Sequence, residues 1–229
     1  MPNEGWWVVL LLVNFGLILT VFRIFGSRGL YVWVAVTVIA ANIQVVKTIE
    51  IFGITATLGN IVYASSFLIT DILSENYGAD KARKAVYYGF AAVIGFTLLM
   101  QLALVFEPAS VDFAQDSLSV IFGFLPRIVI ASLVAFGASQ FHDVWAYAFW
   151  KRLLPDRGFL WLRNNASTIV SQLLDSLVFT TVAFVGVFDA ATFLQILVTT
   201  YVFKVIVAVC DTPFVYLARR WVEKGAVSV

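Results

Sequence analysis

Seven long apolar stretches fill most of this chain, and they constrain its fold more than any other feature. Each is long enough for a membrane-crossing helix, because about 20 residues rising 1.5 Å each span roughly 30 Å of hydrocarbon. The first stretch has no basic segment before it and is too long for a signal sequence, so we interpret it as a retained span. The stretches lie at approximately 6–25, 30–50, 56–76, 82–106, 126–151, 164–187 and 190–220.

This pattern predicts an all-α integral membrane protein, a bundle of seven transmembrane helices. Hydrophobic residues make up 61% of the sequence, so residues 1–229 are expected to form a single transmembrane domain without a sizeable soluble module. The segment 107–125 interrupts the pattern with acidic residues and Pro108. We expect an outer loop with a short interfacial helix there.

The basic residues predict the orientation. Most of the 15 Lys and Arg follow the first, third, fifth and seventh stretches, whereas acidic residues dominate the alternate connections. Positive charge favours the cytoplasmic side. We therefore expect an outside N-terminus and a cytoplasmic C-terminus in a multi-pass protein of the inner (plasma) membrane.

Charged residues inside the apolar stretches are the second informative feature. A charge at the bilayer centre costs about 2.5–3.5 kcal/mol on insertion scales, so such residues normally face a bundle interior or a water-filled path. They indicate a polar site between helices. The residues concerned are Asp71, Glu75, Asp143, Asp175, Lys204 and Asp211.

Helical spacing places further polar residues beside these charges. Asn42 and Lys47 extend the site to the second stretch, Gln140 precedes Asp143, and Gln172 precedes Asp175. Arg127, at the start of the fifth stretch, and Lys47 have an alternative interpretation as interfacial anchors. Lys204 has one as a partner in a structural ion pair.

Carboxylates, carboxamides and flat aromatic side chains together suit a planar heterocycle with several edge donors and acceptors, such as a purine-like base. Other polar aromatic ligands fit nearly as well. The interior lacks the clustered Arg or Lys that phosphates require, and no basic tract suggests nucleic acid. His142 is the only histidine, so a multi-His metal site is excluded. We expect no metal, no cofactor and no enzymatic activity.

Several short segments resemble the queuosine precursor transporter family, once grouped with vitamin uptake proteins. They are TDILSENYG at 70–78, PRIVIAS at 126–132, Gln140 with Asp143, AST at 166–168 leading to Asp175, and Tyr201, Phe203 and Lys204 before Pro213. The similarity covers roughly 30–220. It implies a six-helix transporter core at 30–220, with 6–25 as an extra N-terminal helix.

The resemblance also implies a substrate, 7-cyano- and/or 7-aminomethyl-7-deazaguanine, and a functional set of Asp71, Arg127, Gln140, Asp143, Asp175 and Lys204. In this interpretation Asp175 binds the guanine-like edge, Lys204 serves the carbonyl group, and Phe203 offers a stacking surface. Glu75 and Asp211 are less characteristic of the family.

Two other functions stay open at this point. The chain resembles in outline a seven-helix retinal protein that would use Lys204 for a Schiff base. It also suits the substrate-binding subunit of an ATP-driven vitamin-type uptake complex. A homodimer is compatible with such a small helical carrier. A neutral base could equilibrate passively, and the buried acids could equally couple its uptake to protons.

Overall fold

The computed structural model describes residues 2–153 and 160–227, with side-chain positions given throughout except at 140–141, 143–148, 150–153 and 160–168. Two compact units make up the chain. The first comprises Met1–Pro126 with Val202–Val229, and the second comprises Arg127–Tyr201.

Helices account for most of both units, as the apolar stretches predict. The elements are α1 (Asn3–Gln44), β1 (Thr48–Ile51), β2 (Ile54–Thr57), α2 (Gly59–Tyr77), α3 (Ala79–Val105), α4 (Gln115–Gly123), α5 (Leu125–Leu153), α6 (Leu160–Phe184) and α7 (Ala190–Glu223). The helices predicted at 82–106, 126–151, 164–187 and 190–220 are confirmed within a few residues. The short helix expected within 107–125 is α4.

A break at Gly26 divides α1, whose 42 residues would otherwise extend about 63 Å. Gly26 has φ 61 and ψ −148, a combination that is essentially restricted to glycine. The two predicted stretches 6–25 and 30–50 therefore lie on the two sides of one glycine break.

The two parts of α1 fold back on each other. Asn3 Nδ2 donates to the Glu50 carbonyl oxygen at 2.8 Å, and the Phe52 N–H donates to Glu4 Oε1 at 2.8 Å. A straight helix would place its first turn far from the segment that follows its last turn. These contacts therefore bring the start of α1 beside the residues just beyond its end.

A two-stranded antiparallel hairpin follows α1, and here the expectation of uninterrupted helices was wrong. Strands β1 and β2 pair in the register Thr48 with Thr57 and Ile51 with Ile54. Phe52 and Gly53 form the two-residue turn, both with positive φ (52 and 74), the backbone that hairpin turns favour. The helix predicted over 30–50 ends at Gln44, and the one predicted over 56–76 begins at Gly59.

Close packing fixes α2 against the end of α1. A Cβ on Gly59 would collide with the Ala41 carbonyl oxygen and lie 2.6 Å from the Val45 backbone nitrogen. Only the absence of a side chain permits this approach. Since α2 carries Asp71 and Glu75, this contact sets the position of the acidic end of that helix.

Helix α3 shows why the molecule needs lipid around it. Its buried residues form one narrow stripe, Ala85, Gly89, Val93 and Thr97. Large apolar side chains elsewhere on the helix remain exposed, with Leu99 at 67% and Val105 at 79%. Exposing such a surface to water is unfavourable, whereas contact with the hydrocarbon of a bilayer is not.

Among the described residues, four segments are long and apolar enough to cross a membrane by length and composition. They are Asn3–Gln44, Ala79–Val105, Gln115–Ser139 and Ala190–Glu223, and Ile169–Phe184 is a shorter apolar helix. Together with the exposed apolar surface, they identify a helical, multi-pass membrane protein. The predicted span at 56–76 is not among the four.

In the second unit, Asp189 caps the start of α7. Its carboxylate accepts from the Thr192 hydroxyl at 2.6 Å and from the Thr192 and Ala191 N–H groups at 3.1 and 3.0 Å. These donors stabilise the ionised form, so they hold the pKa of Asp189 below its usual range.

Candidate functional site

A cavity of about 400 Å³ lies between α2 and α7 within the first unit. Its size falls in the range of small-molecule sites. Spacing of three or four residues brings polar side chains of both helices to this one surface. The lining residues are Asp71, Ser74, Glu75, Ala208, Asp211, Thr212, Val215, Tyr216 and Arg219.

An ion pair joins the two helices at this cavity. Arg219 Nη1 lies 2.7 Å from Glu75 Oε1, and Arg219 Nε lies 2.8 Å from Glu223 Oε1. The side chains of Arg219 and Glu75 are 51% and 45% exposed. Water therefore screens the pair, and such exposed pairs contribute about 0–1 kcal/mol.

Two further carboxylates line the cavity without a cation of their own among the described residues. Asp211 is only 3% exposed, and no hydrogen-bond donor in the described part of the chain reaches its Oδ2 atom. Asp71 lies on the facing surface of α2, where its side chain is exposed to the cavity. The predicted site residues Asp71, Glu75 and Asp211 are thus brought together.

Lys204 lies two turns before Asp211 on α7 and is buried, with 3% of its surface exposed. Its Nζ atom lies 5.2 Å from the centre of the Tyr63 ring on α2. The ring face attracts the ammonium group and offsets part of the cost of burying it. The resemblance placed Lys204 at the substrate, and the structure adds Tyr63 as its neighbour.

Three other predicted site residues of the first unit, Phe203, Asn42 and Lys47, are not among the residues that line the cavity. Phe203 packs against Trp7, with ring centres 5.4 Å apart, in a buried apolar cluster with Ile51 and Ala56. Asn42 Nδ2 donates to the Val38 carbonyl of its own helix at 2.8 Å. The predicted helical position of Lys47 was wrong, because Lys47 is exposed in the turn that follows α1.

In the second unit, Asp175 is a buried carboxylate with polar side chains beside it. It is 6% exposed, and Ser139 Oγ on α5 donates to its Oδ1 across a long 3.4 Å. One turn before it on α6, Gln172 has a buried Oε1 that no donor reaches among the described residues. Asp175 and Gln172 therefore present one carboxylate and one amide on the same helix face.

His142 has a polar partner in the same unit. Its Nδ1 atom lies 3.0 Å from Ser171 Oγ, which joins α5 to α6. The predicted neighbours Gln140 and Asp143 have side chains outside the described residues.

Arg127 contacts the end of a helix. Its Nε donates to the Val182 carbonyl at 2.9 Å, and its Nη2 donates to the Val185 carbonyl at 2.6 Å. The last carbonyl groups of a helix have no partner within it and favour a nearby cation. This contact holds α6 against α5 and gives Arg127 a structural role in addition to the predicted one.

Sequence reasoning missed the part played by Arg219, which it used only for orientation. The signal was present, because Asp211, Val215 and Arg219 follow each other at four-residue intervals on α7. Extending the stripe by two turns would have placed Arg219 on the surface that carries Asp211. Its pairing with Glu75, 144 residues away, has no local sequence signal.

The arrangement offers carboxylates, one guanidinium and hydroxyl groups around a space of small-molecule size, on helices that lipid surrounds. These features identify the class as a helical membrane protein with a polar cavity of small-molecule size.

The comparisons with known proteins specify the class further. A family described as "Putative vitamin uptake transporter" matches residues 57–218. The chain is 45% identical over 222 residues to the "Probable queuosine precursor transporter" of Bacillus subtilis (strain 168), covering 97% of each chain. It is 29% identical over 174 residues to the "Queuosine precursor transporter" of Escherichia coli (strain K12), covering 74% of this chain and 75% of the relative.

The chain belongs to the queuosine precursor transporter family. The resemblance noted in the sequence is thereby confirmed. No solved structure matches the chain.

Proposed function

We propose that this protein imports precursors of the modified tRNA base queuosine, 7-cyano- and/or 7-aminomethyl-7-deazaguanine, across the inner membrane. The observation that carries the proposal is the 45% identity to a protein named as such a transporter over 97% of both chains. Because the alignment covers nearly all of both chains, neither chain has a large insertion or deletion that would remove a substrate site.

Two side chains of the second unit support a heterocyclic base as the solute. Asp175 and Gln172 provide an acceptor and an amide for the edge of a planar ring. A carboxylate accepts two parallel hydrogen bonds from the N1–H and 2-amino groups of a guanine-like edge. We assign that role to Asp175.

For the topology we propose seven spans, with the N-terminus outside and the C-terminus cytoplasmic. The break at Gly26 supports two crossings by α1, and α2, α3, α5, α6 and α7 supply the other five. The distribution of Lys and Arg supports the orientation. Residues 6–25 would then be the helix additional to a six-helix core.

The test uses a bacterial strain that lacks its own precursor transporter and the enzymes that make the precursors. Queuosine in its tRNA then depends on uptake from the medium. Expression of the chain is expected to restore queuosine when either precursor is supplied. Unmodified tRNA in cells with confirmed membrane expression would contradict the proposal.

Reconstitution separates a self-sufficient carrier from the binding subunit of an ATP-driven complex. Liposomes that contain only the purified chain are expected to accumulate labelled precursor faster than protein-free liposomes. Uptake that occurs in cells but not in these liposomes would assign the chain to a larger complex. The family assignment favours either form of transport over a retinal protein.

A further inference from the structure

Among the described residues that line the α2–α7 cavity, acidic side chains outnumber basic ones. Three carboxylates line it, from Asp71, Glu75 and Asp211, together with one guanidinium, from Arg219. The guanidinium is already shared between Glu75 and Glu223, at 2.7 and 2.8 Å. The described residues that line the cavity therefore supply no further cation for Asp71 and Asp211.

Asp211 is the more deeply buried of these two residues. It is 97% buried, and its Oδ2 atom has no donor among the described residues, although it lines a cavity with room for a ligand. A buried carboxylate without donors is strongly disfavoured unless a proton or a cation reaches it. The cavity therefore favours a ligand that brings hydrogen-bond donors or positive charge to Asp211.

The geometry favours an organic cation over a metal ion. Metal ions hold carboxylate oxygens at about 2.0–2.6 Å, and a site made mainly of protein ligands brings several of them to one point. In the part of the chain that the structure describes, no three His, Cys, Asp or Glu side chains are grouped in this way. An ammonium group donates up to three separate hydrogen bonds at about 2.8 Å, so two carboxylates suffice to bind it.

We propose that Asp211 and Asp71 bind the ammonium group of an aminomethyl substrate and make the chain selective for it over the cyano substrate. This inference rests on the proposed function. A primary alkylamine has a pKa of about 10 and is cationic at neutral pH. A nitrile has no charge and donates no hydrogen bond, so it gains nothing from these carboxylates.

The magnitude follows from the strength of hydrogen bonds between charged groups. Loss of one such bond reduces affinity by about 10-fold to 100-fold. Asp211→Asn keeps the shape of the side chain and removes its charge. It is therefore expected to reduce uptake of the aminomethyl precursor by that factor and to change uptake of the cyano precursor by less than about 3-fold.

The experiment measures initial uptake of both labelled precursors, separately and in competition, in the transporter-deficient strain. The variants are Asp211→Asn, Asp71→Asn and, as matched control, Asp80→Asn, whose carboxylate is 89% exposed on α3. Membrane expression is quantified for each. Asp71 faces open space, so its variant provides a second test if Asp211→Asn fails to fold.

Selective loss of aminomethyl uptake in either cavity variant supports the inference. Equal loss of both precursors overturns it, as does a wild-type protein that takes up the cyano precursor as fast as the aminomethyl precursor. A third result would also overturn the inference: uptake of both precursors requires sodium, and Asp211→Asn loses both together. That result would mean that the carboxylates bind an inorganic cation. Absence of uptake of either precursor by wild type overturns the proposed function itself, a separate and recognisable result.

Discussion

Arg219 on α7 and Glu75 on α2 form an ion pair with a distance of 2.7 Å between Nη1 and Oε1, and it joins the two helices that line the acidic cavity. Half-exposed pairs of this kind contribute about 0–1 kcal/mol. Breaking the pair therefore costs little free energy, so a movement of α2 against α7 is not prevented by it.

Removing the guanidinium is expected to affect transport more than stability. Arg219→Gln loses the pair with Glu75, so initial uptake should fall by up to about 5-fold, the factor that corresponds to 1 kcal/mol. The melting temperature in detergent should change by less than about 4 °C. Arg220→Gln, the same change at the neighbouring exposed residue, serves as control. Equal uptake by the two variants would show that the Glu75 contact has no role in transport.

Asp175 is expected to be the most sensitive position of the second unit. Asp175→Asn removes the charge proposed to bind the guanine-like edge, and uptake of both precursors should fall by about 10-fold to 100-fold. Ser139→Ala removes only a 3.4 Å hydrogen bond to Asp175 and should cost a few-fold at most. Initial uptake rates, corrected for expression, measure both effects. Normal transport by Asp175→Asn would exclude the proposed role.

The contact of α2 with α1 predicts a specific packing defect. Gly59→Ala places a methyl group against the backbone at Ala41 and Val45, and overpacking of this kind destabilises by about 1–3 kcal/mol. The melting temperature should fall by about 2–4 °C for each kcal/mol. Gly95→Ala is the matched control, because open space surrounds Gly95 on α3. A Gly59→Ala protein as stable as this control would contradict the described approach of the two helices.

Labelling of single cysteines tests the seven-span topology. Cys210 is the only cysteine, so Cys210→Ser gives a background without thiols. A membrane-impermeant maleimide should label Asn3→Cys and Glu107→Cys in spheroplasts, and Lys224→Cys only after the membrane is opened. Labelling of Asn3→Cys, at the start of α1, and of Lys224→Cys, just after α7, from the same side would require an even number of crossings and would refute the proposed topology.

The sequence predicted the helices well because each one needs a long apolar stretch to cross a bilayer, and such stretches are visible residue by residue. It failed at 48–57, where the predicted helices 30–50 and 56–76 extended into the segments TIEI and ITAT. Their β-branched residues and the Phe52–Gly53 turn were the signals for a hairpin, and hydropathy alone does not register them.

The candidate site was predicted in part, for a related reason. Helical spacing placed Asp71 and Glu75 on one surface, and both line the cavity with Asp211. Spacing within one helix does not reveal which helices meet. The pairing of Arg219 with Glu75, the contact of Arg127 with the end of α6, and the packing of Phe203 against Trp7 all depend on tertiary structure.

Uptake of labelled 7-aminomethyl-7-deazaguanine by the transporter-deficient strain tests the central claim most directly. Cells that express the chain should take up the label at a saturable initial rate, reduced by excess unlabelled 7-deazaguanine precursor but not by adenine. Cells with Asp175→Asn at equal expression should approach the rate of cells without the chain. If cells with the wild-type chain take up neither this precursor nor its cyano counterpart faster than cells without it, the protein is not a queuosine precursor transporter.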